Sequence, residues 1–398
     1  MALQELTSWG SSMAAMLLIF CLLPIILPFF AVVALLVLVW SLAFDRLKAH
    51  YELSVTRAAM PELPDVILHT ARDGVTLRIL KMTALGDSAD TAGESDNKVV
   101  LLCNPLGAKG FICYHSVIAA ITQIYGPGTT FVVWDYRSFF ESDEPNRLRN
   151  VCVRNHAEDA AEVLKAAVGE GRKADVVVGH SMGVQVALEF ALIHPEKVGS
   201  MVLMNGTYGH ALQTGLQPII KLPYMGDIIC TAIQWVLKNG HERRLEVVRQ
   251  LAKPGIHACY PVYTRLFGSK QMQKVFGNDY LEKTWNGYLG GICSNSKTMK
   301  AFLRGFQELD AHSTRHLLYQ LGHPTLLIAG LWDMLTPAYN MAVMKSCMPN
   351  ARLVIDSCSG HFSGIEHPER VMGEIAHFLT KEVSTFKRMS TSKFSKVH

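Results

Sequence analysis

Residues Ala174–His194 read ADVVVGHSMGVQVALEFALIH, and the fold turns on this stretch. Ala174–Val178 is a short, mostly β-branched apolar run, as expected of a strand covered on both faces. Val184–His194 changes to helical spacing. Between them stands Gly179-His180-Ser181-Met182-Gly183. A strand that turns at once into a helix lifts the central serine hydroxyl into a cleft, and the two glycines remove side chains that would clash in the turn. The N-terminus of the following helix aims the Met182 N–H at the place where an oxyanion would develop.

A serine needs a base to become a nucleophile, and the base needs an orienting acid. In this arrangement acid and base follow the serine in the chain, in the order Asp or Glu, then His. Strand PTLLIAG leads into Leu331-Trp332-Asp333-Met334. Strand ARLVI leads through the turn from Asp356 to Gly360 into His361. Both are loop starts at the carboxyl ends of strands, where open α/β sheets place their sites. The competing acids are Asp310, in a helical stretch, and Asp356, too close to His361 along the chain. Among the competing histidines, His180 has its side chain directed away from the catalytic side, and His367 lies at a helix start.

Working outward, Asp65–Thr70 and Val75–Met82 form a predicted hairpin around Arg72-Asp73-Gly74. Val99–Cys103, Thr130–Trp134 and Ser200–Met204 join Ala174–Val178 as central strands, and Thr325–Ile328 and Ala351–Ile355 follow. Helical patterns cover His156–Val168, Ala338–Lys345 and Glu369–Lys381. Alternation of this kind argues for a sheet flanked by helices. Ala84–Asn97 is a polar loop. The sequon Asn205-Gly206-Thr207 directly follows an apolar strand and reads as structural and unglycosylated.

Hydrophobic residues make up 49% of the 398 and charged residues 18%, with mean hydropathy +0.18, which excludes a disordered chain. A net charge of +4 without a concentrated basic stripe excludes nucleic acid as a partner. Much of the excess apolarity sits between Met13 and Phe44, where no charge occurs. That run exceeds the roughly 20 residues a spanning helix needs. Pro24 and Pro28 kink or break it, so it reads as one bent transmembrane helix or as a shallow hairpin. Arg46, Lys48 and Arg57 follow it and no Lys or Arg precedes it, which predicts a cytoplasmic catalytic domain. Nine cysteines without a Cys-x-x-Cys pair agree with a reducing compartment.

The motifs GHSMG, GLWDMLTP around Asp333 and SGHFSGIEHPERV around His361 resemble the α/β-hydrolase superfamily, and within it the membrane-anchored lipase and esterase-like members. The likeness runs from about Pro61 to Thr380. FVVWDYRSFFESDEP is similar to the segment after the family's fourth strand, with Asp135, Arg137 and Ser142 in place. Ser138 and Phe140 stand where members usually carry glycine. The resemblance implies a mostly parallel eight-stranded sheet flanked by helices, with a helical cap inserted at 206–322. It also implies an oxyanion loop after the third strand. Members usually begin that loop His-Gly; here Asn104-Pro105 stands in that place, and proline has no N–H. The family's donor corresponds to Leu106, so Leu106 and Met182 would form the oxyanion hole.

The domains expected are therefore a membrane anchor (1–44), a connector (45–62), a core in two parts (63–205 and 323–383), the cap between them (206–322) and a basic Ser/Thr-rich tail (384–398). The cap segment carries 14 Lys and Arg against 7 Asp and Glu. A basic lid could rest on anionic headgroups, and a solvated surface explains it equally well. The expected activity is hydrolysis of a carboxylic ester through Ser181, His361 and Asp333, on a lipid such as a monoacylglycerol or lysophospholipid. The alternatives are a thioesterase, a C–C bond hydrolase, an acyltransferase, or a non-catalytic membrane scaffold. An Asp-nucleophile enzyme is excluded by Ser181. No cofactor or metal motif occurs, and the sequence does not indicate an oligomeric state.

Overall fold

The computed structural model describes residues 64–84, 97–215, 222–238, 242–267 and 280–386. The proposed anchor, the connector and the tail beyond residue 386 lie outside the described residues. Among the described residues no helix is long and apolar enough to cross a membrane.

Eight strands form one sheet: β1 (Asp65–Thr70), β2 (Thr76–Thr83), β3 (Val99–Cys103), β4 (Thr130–Trp134), β5 (Ala174–His180), β6 (Val198–Met204), β7 (Thr325–Gly330) and β8 (Ala351–Asp356). Their order is β1-β2-β4-β3-β5-β6-β7-β8. The β1–β2 hairpin is antiparallel, as is β2 against β4, and every pairing from β4 to β8 is parallel. Every residue of β3, β4 and β7 is buried, which is why their sequences are continuously apolar rather than alternating.

The period of two divides the core. Leu101, Val132, Val177 and Leu203 face α2 (Val153–Val168) and α3 (Met182–Ile193). Leu102, Val133, Val178 and Val202 face α1 (His115–Tyr125) and, near the chain end, Pro368–His377. The predicted strands are all present, and two boundaries differ in an informative way. The sequence reading leaves Gly179–Gly183 as a separate turn. In the structure β5 runs through His180 and α3 starts at Met182, so strand and helix abut at Ser181.

The described residues of 206–322 lie between β6 and β7 and are mostly helical. They include α4 (Met225–Leu237), α5 (Glu242–Phe267) and α6 (Ser296–Ala311). Asn295 caps α6, its Oδ1 accepting from Thr298 N–H at 2.8 Å. Val236, Leu245, Ile292, Cys293 and Met299 form a small apolar cluster of this segment's own. It also meets the core closely. A methyl group on Gly305 would come within 2.6 Å of Leu106, and one on Gly291 within 2.8 Å of the Phe140 ring. Lys297 donates to the Ser142 carbonyl at 2.8 Å and Lys300 pairs with Glu144. The core also has α7 (Ala338–Cys347) and α8 (Pro368–His377), with a short helical turn at Ser363–Glu366 just before α8.

Candidate active site

Ser181 sits at φ +56° and ψ −119°, a conformation few side-chain-bearing residues adopt. Its surroundings hold it there. The Ser181 N–H donates to the Met204 carbonyl at 3.1 Å, which ties the turn to β6. A methyl group on Gly179 would lie 2.6 Å from the Gly183 carbonyl, and one on Gly183 would overlap the Cys103 carbonyl of β3. Both glycines are thus required by close backbone approach. They let α3 begin flush against the sheet.

The structure brings the three candidate residues together. His361 Nε2 lies 2.9 Å from Ser181 Oγ, and His361 Nδ1 lies 2.9 and 3.0 Å from the two Asp333 oxygens. Asp333 is 3% exposed and His361 7%, so both meet the substrate side largely stripped of water. Burial pushes the Asp333 carboxyl up. The charge and hydrogen bond of His361 and the hydrogen bonds from Thr336 outweigh it, and the carboxyl ends below its ordinary range. The N–H groups of Leu335 and Thr336 donate to Asp333 Oδ1 at 2.9 and 2.8 Å.

Two residues that the sequence reading did not place in the site complete this scaffold. Asn205, fully buried, donates from Nδ2 to Asp333 Oδ2 at 3.2 Å and to the Gly360 carbonyl at 2.8 Å. With its amide so engaged it cannot carry a glycan in the folded chain. Glu366, 1% exposed, accepts from the N–H groups of Gly360 and Phe362, which flank His361. The signal at Asn205 was a sequon just after a strand, read as structural; nothing local marked Glu366.

His180 requires a correction. The sequence reading directs its side chain away from the catalytic side. Instead its Nε2 donates to the His361 carbonyl at 2.7 Å, and the two rings stand 5.2 Å apart. His180 is the last residue of β5, so strand alternation sends it to the face shared with Val176 and Val178, which also receives the loop after β8. Burial, and next the charge of His361, push its pKa down to about 3, so it stays neutral. Its role there is to buttress the base.

Of the competing acids, Asp310 lies in α6, and Asp356 pairs with His367 at 3.0 Å rather than with His361. Asp356, Cys358 and His367 form the only group among the described residues whose metal-ligand-type atoms come within 4.8 Å of one another. The His367–Asp356 hydrogen bond already accounts for part of that closeness.

Leu106 and Met182 are both buried, and Met182 directly follows the serine. Met182 opens α3, so its N–H has no helical carbonyl one turn back. Pro105 to Ala108 form a turn, with the Ala108 N–H donating to the Pro105 carbonyl at 3.1 Å and Gly107 at φ +84°. The Leu106 N–H takes no part in that turn bond, so being in a turn and acting as a donor are compatible. Tyr136 holds the preceding residue by donating to the Asn104 carbonyl at 2.9 Å.

The loop after β4 is structural. Arg137 makes a two-pronged ion pair with buried Asp159 and reaches Asp73 at 2.6 Å. Ser142 donates to the Asp135 carbonyl at 2.6 Å. Ser138 and Phe140, which stand where glycine is expected, keep glycine-like conformations at φ +69° and +46°.

A model of the alpha/beta hydrolase fold family matches residues 98–368. Among known proteins, the chain is similar to the 2-hydroxy-6-oxononadienedioate/2-hydroxy-6-oxononatrienedioate hydrolase of Burkholderia vietnamiensis, 24% identical over 80% of this chain and 100% of that one. It is 25% identical to a putative 2-succinyl-6-hydroxy-2,4-cyclohexadiene-1-carboxylate synthase of Bacillus subtilis, over 69% of this chain and 92% of that one. Among solved structures, a hydrolase from Pseudomonas aeruginosa aligns with TM-score 0.55 at 20% identity, covering 79% of this chain and 98% of that one. A thermophilic esterase from Thermogutta terrifontis aligns with TM-score 0.54 at 19% identity, covering 80% and 99%.

Proposed function

The chain belongs to the alpha/beta hydrolase fold family, and we propose that it is a serine hydrolase that forms an acyl-enzyme on Ser181. The observation that carries this reading is the continuous line from Ser181 Oγ through His361 to Asp333, with both contacts at 2.9 Å. Ser181 Oγ attacks a carbonyl carbon while His361 Nε2 takes its proton. Asp333 holds the His361 tautomer and stabilises the imidazolium. The Met182 and Leu106 amides receive the oxyanion. His361 returns the proton to the leaving group, then activates the water that releases the acid.

The bond we assign is a carboxylic ester with an apolar acyl part. Leu331, Trp332, Met334 and Leu335 are 40–50% exposed around buried Asp333, so the acid's own turn presents an apolar rim. Ile292 and Phe302 press on the oxyanion turn at Gly107. Such walls suit an amphiphilic ester. The apolar run from Met13 to Phe44 supports a membrane-borne substrate and an anchored enzyme.

A second reading has its own support. The relatives named as 2-hydroxy-6-oxononadienedioate/2-hydroxy-6-oxononatrienedioate hydrolases align along most of their lengths, and the same three residues would serve attack on a ketone and cleavage of a C–C bond. The substrates in those names are dicarboxylates. Among the described residues Lys109 is paired with Glu141, Lys297 donates to the Ser142 carbonyl and Arg304 is paired with Glu308.

Activity profiling decides between the two. A fluorophosphonate probe labels the wild type and not Ser181→Ala, and monoacylglycerols or lysophospholipids turn over faster than a vinylogous 1,5-diketone acid. Faster cleavage of the diketone moves the assignment to C–C hydrolysis; an unlabelled wild type ends the serine-hydrolase reading. Deletion of residues 1–44 releases the protein from membranes, and retained tight binding refutes the anchor.

A further inference from the structure

Two cap helices carry apolar side chains on both faces. α4 and α5 each pack on α6, and their inner faces supply Val236 and Leu245 to the small cluster with Met299, with Val248 beside it. A helix that covers a core in this way keeps its outer face polar. Here the outer face is apolar as well. Ile228 and Trp235 stand seven positions apart on α4, one stripe turned away from buried Ile233 and Val236, and Tyr224 extends that stripe at the N-terminal end. On α5, Val247 and Leu251 are four apart and turned away from buried Leu245. These five side chains are 51–79% exposed. A single exposed apolar residue needs no account; five on two neighbouring helices do.

The charge around them is basic. Arg244 lies over the Trp235 ring, 4.0 Å from its centroid, and donates to the Trp235 carbonyl at 2.9 Å, which joins the two helices at this end. Lys238, Arg243 and Lys253 are exposed. Between residues 222 and 254 there are five Lys and Arg against three acids, and one of those acids, Glu246, is paired with Arg249. Tryptophan and aliphatic side chains bordered by Lys and Arg are the composition of helices that lie in the headgroup layer of a bilayer. The chain itself leads to such a layer. The uncharged run ends at Phe44 and the described core begins at Pro64. The connection spans at most about 70 Å, so an anchored chain keeps its cap close to the bilayer, and even a weak face engages it.

We propose that the outer face of α4 and α5 is a membrane-docking surface. Its five apolar side chains enter the headgroup layer of an anionic bilayer, and Lys238, Arg243 and Arg244 meet lipid phosphates. The inference rests on the membrane-anchored reading above. α6 links the docked face to the oxyanion turn, through the close packing of Gly305 on Leu106.

The test reconstitutes the full-length chain in vesicles of phosphatidylcholine and phosphatidylserine, with and without brominated acyl chains. Trp235 is read as the difference in emission between the wild type and Trp235→Phe. Bromine lowers that difference severalfold. Ile228→Glu combined with Leu251→Glu abolishes the quenching, while p-nitrophenyl butyrate turnover and Tm stay at wild-type values, since both positions are exposed. Added salt, or vesicles of phosphatidylcholine alone, weakens the quenching. A difference emission blind to bromine overturns the proposal. So does a dimer seen by light scattering in detergent that Ile228→Glu dissociates, because a second copy is then the occupant. If the wild type does not float with the vesicles, the anchor assignment fails first and takes this one with it; flotation without quenching of Trp235 defeats this one alone.

Discussion

Two histidines six positions apart, His361 and His367, each offer Nδ1 to a buried aspartate at 2.9–3.0 Å. In both pairs burial pushes the carboxyl up, and the histidine with nearby N–H groups pulls it below the ordinary range. As local electrostatics the pairs are near twins. Only one of them meets a serine. His361 follows β8 on a loop clamped by Glu366 and Asn205, which brings Nε2 to Ser181. His367 instead stands just before α8 and ties that helix to the end of β8 through Asp356. A buried His–Asp pair is therefore a general device for fixing two elements, and what turns one into a base is the strained serine beside it.

The sharpest way to break that distinction is at the serine. Ser181→Ala should lower kcat by about 10⁶-fold, with circular dichroism and Tm unchanged. A residual rate within tenfold of wild type would mean that His361–Asp333 is as structural as its neighbour.

The acids come next. Asp333→Asn leaves the shape intact and favours the wrong His361 tautomer, so kcat should fall about 10⁴-fold with modest loss of stability. Asp356→Ala should do the reverse. Breaking a buried pair from one side costs about 3–5 kcal/mol, read as a lower urea midpoint, while kcat per folded molecule stays within about threefold. A large kcat loss in Asp356→Ala with Tm intact would place the second pair in the catalytic machinery.

The same variant has a pH signature. The folded-state pKa of Asp356 lies below its ordinary 3.8, so the unfolded chain binds more protons in that window. The contribution of this carboxylate is fully present above about pH 4 and is lost as pH falls through the depressed folded value. Wild-type stability should therefore drop more steeply than that of Asp356→Ala between about pH 4 and pH 2. Parallel curves would show that the pair holds no proton-linked stability.

Much of this contrast was legible in the sequence. The central strands announce themselves as short apolar runs, because each is covered on both faces. Ser181, Asp333 and His361 were found because a strand-to-helix turn and two strand ends are local features. Asn205 and Glu366 were not, since their meaning lies in which backbone groups they reach once the loops close. Asn205 bridges to Asp333, 128 positions away, and no spacing rule encodes that contact. The inward-turned His180 was misread for a related reason. The turn motif suggested an isolated loop residue, whereas strand alternation continues one position further than the motif implies.

The smallest effect calibrates the strain that sets Ser181 apart. Ser138 is the second serine held at positive φ, at +69° against +56° for Ser181. It is 1% exposed and its hydroxyl has no partner among the described residues. Nothing chemical is gained there in return, and glycine reaches the same conformation without steric penalty. Ser138→Gly should therefore raise stability by about 1 kcal/mol, a Tm increase of roughly 2 °C for a chain of this size, with kcat unchanged. The backbone bond from Ser138 N–H to the Asp143 carbonyl, at 2.9 Å, survives the change and keeps the loop in register. A loss of stability instead would mean that positive φ is relaxed in this fold, and the conformation of Ser181 would no longer separate the catalytic His–Asp pair from its twin.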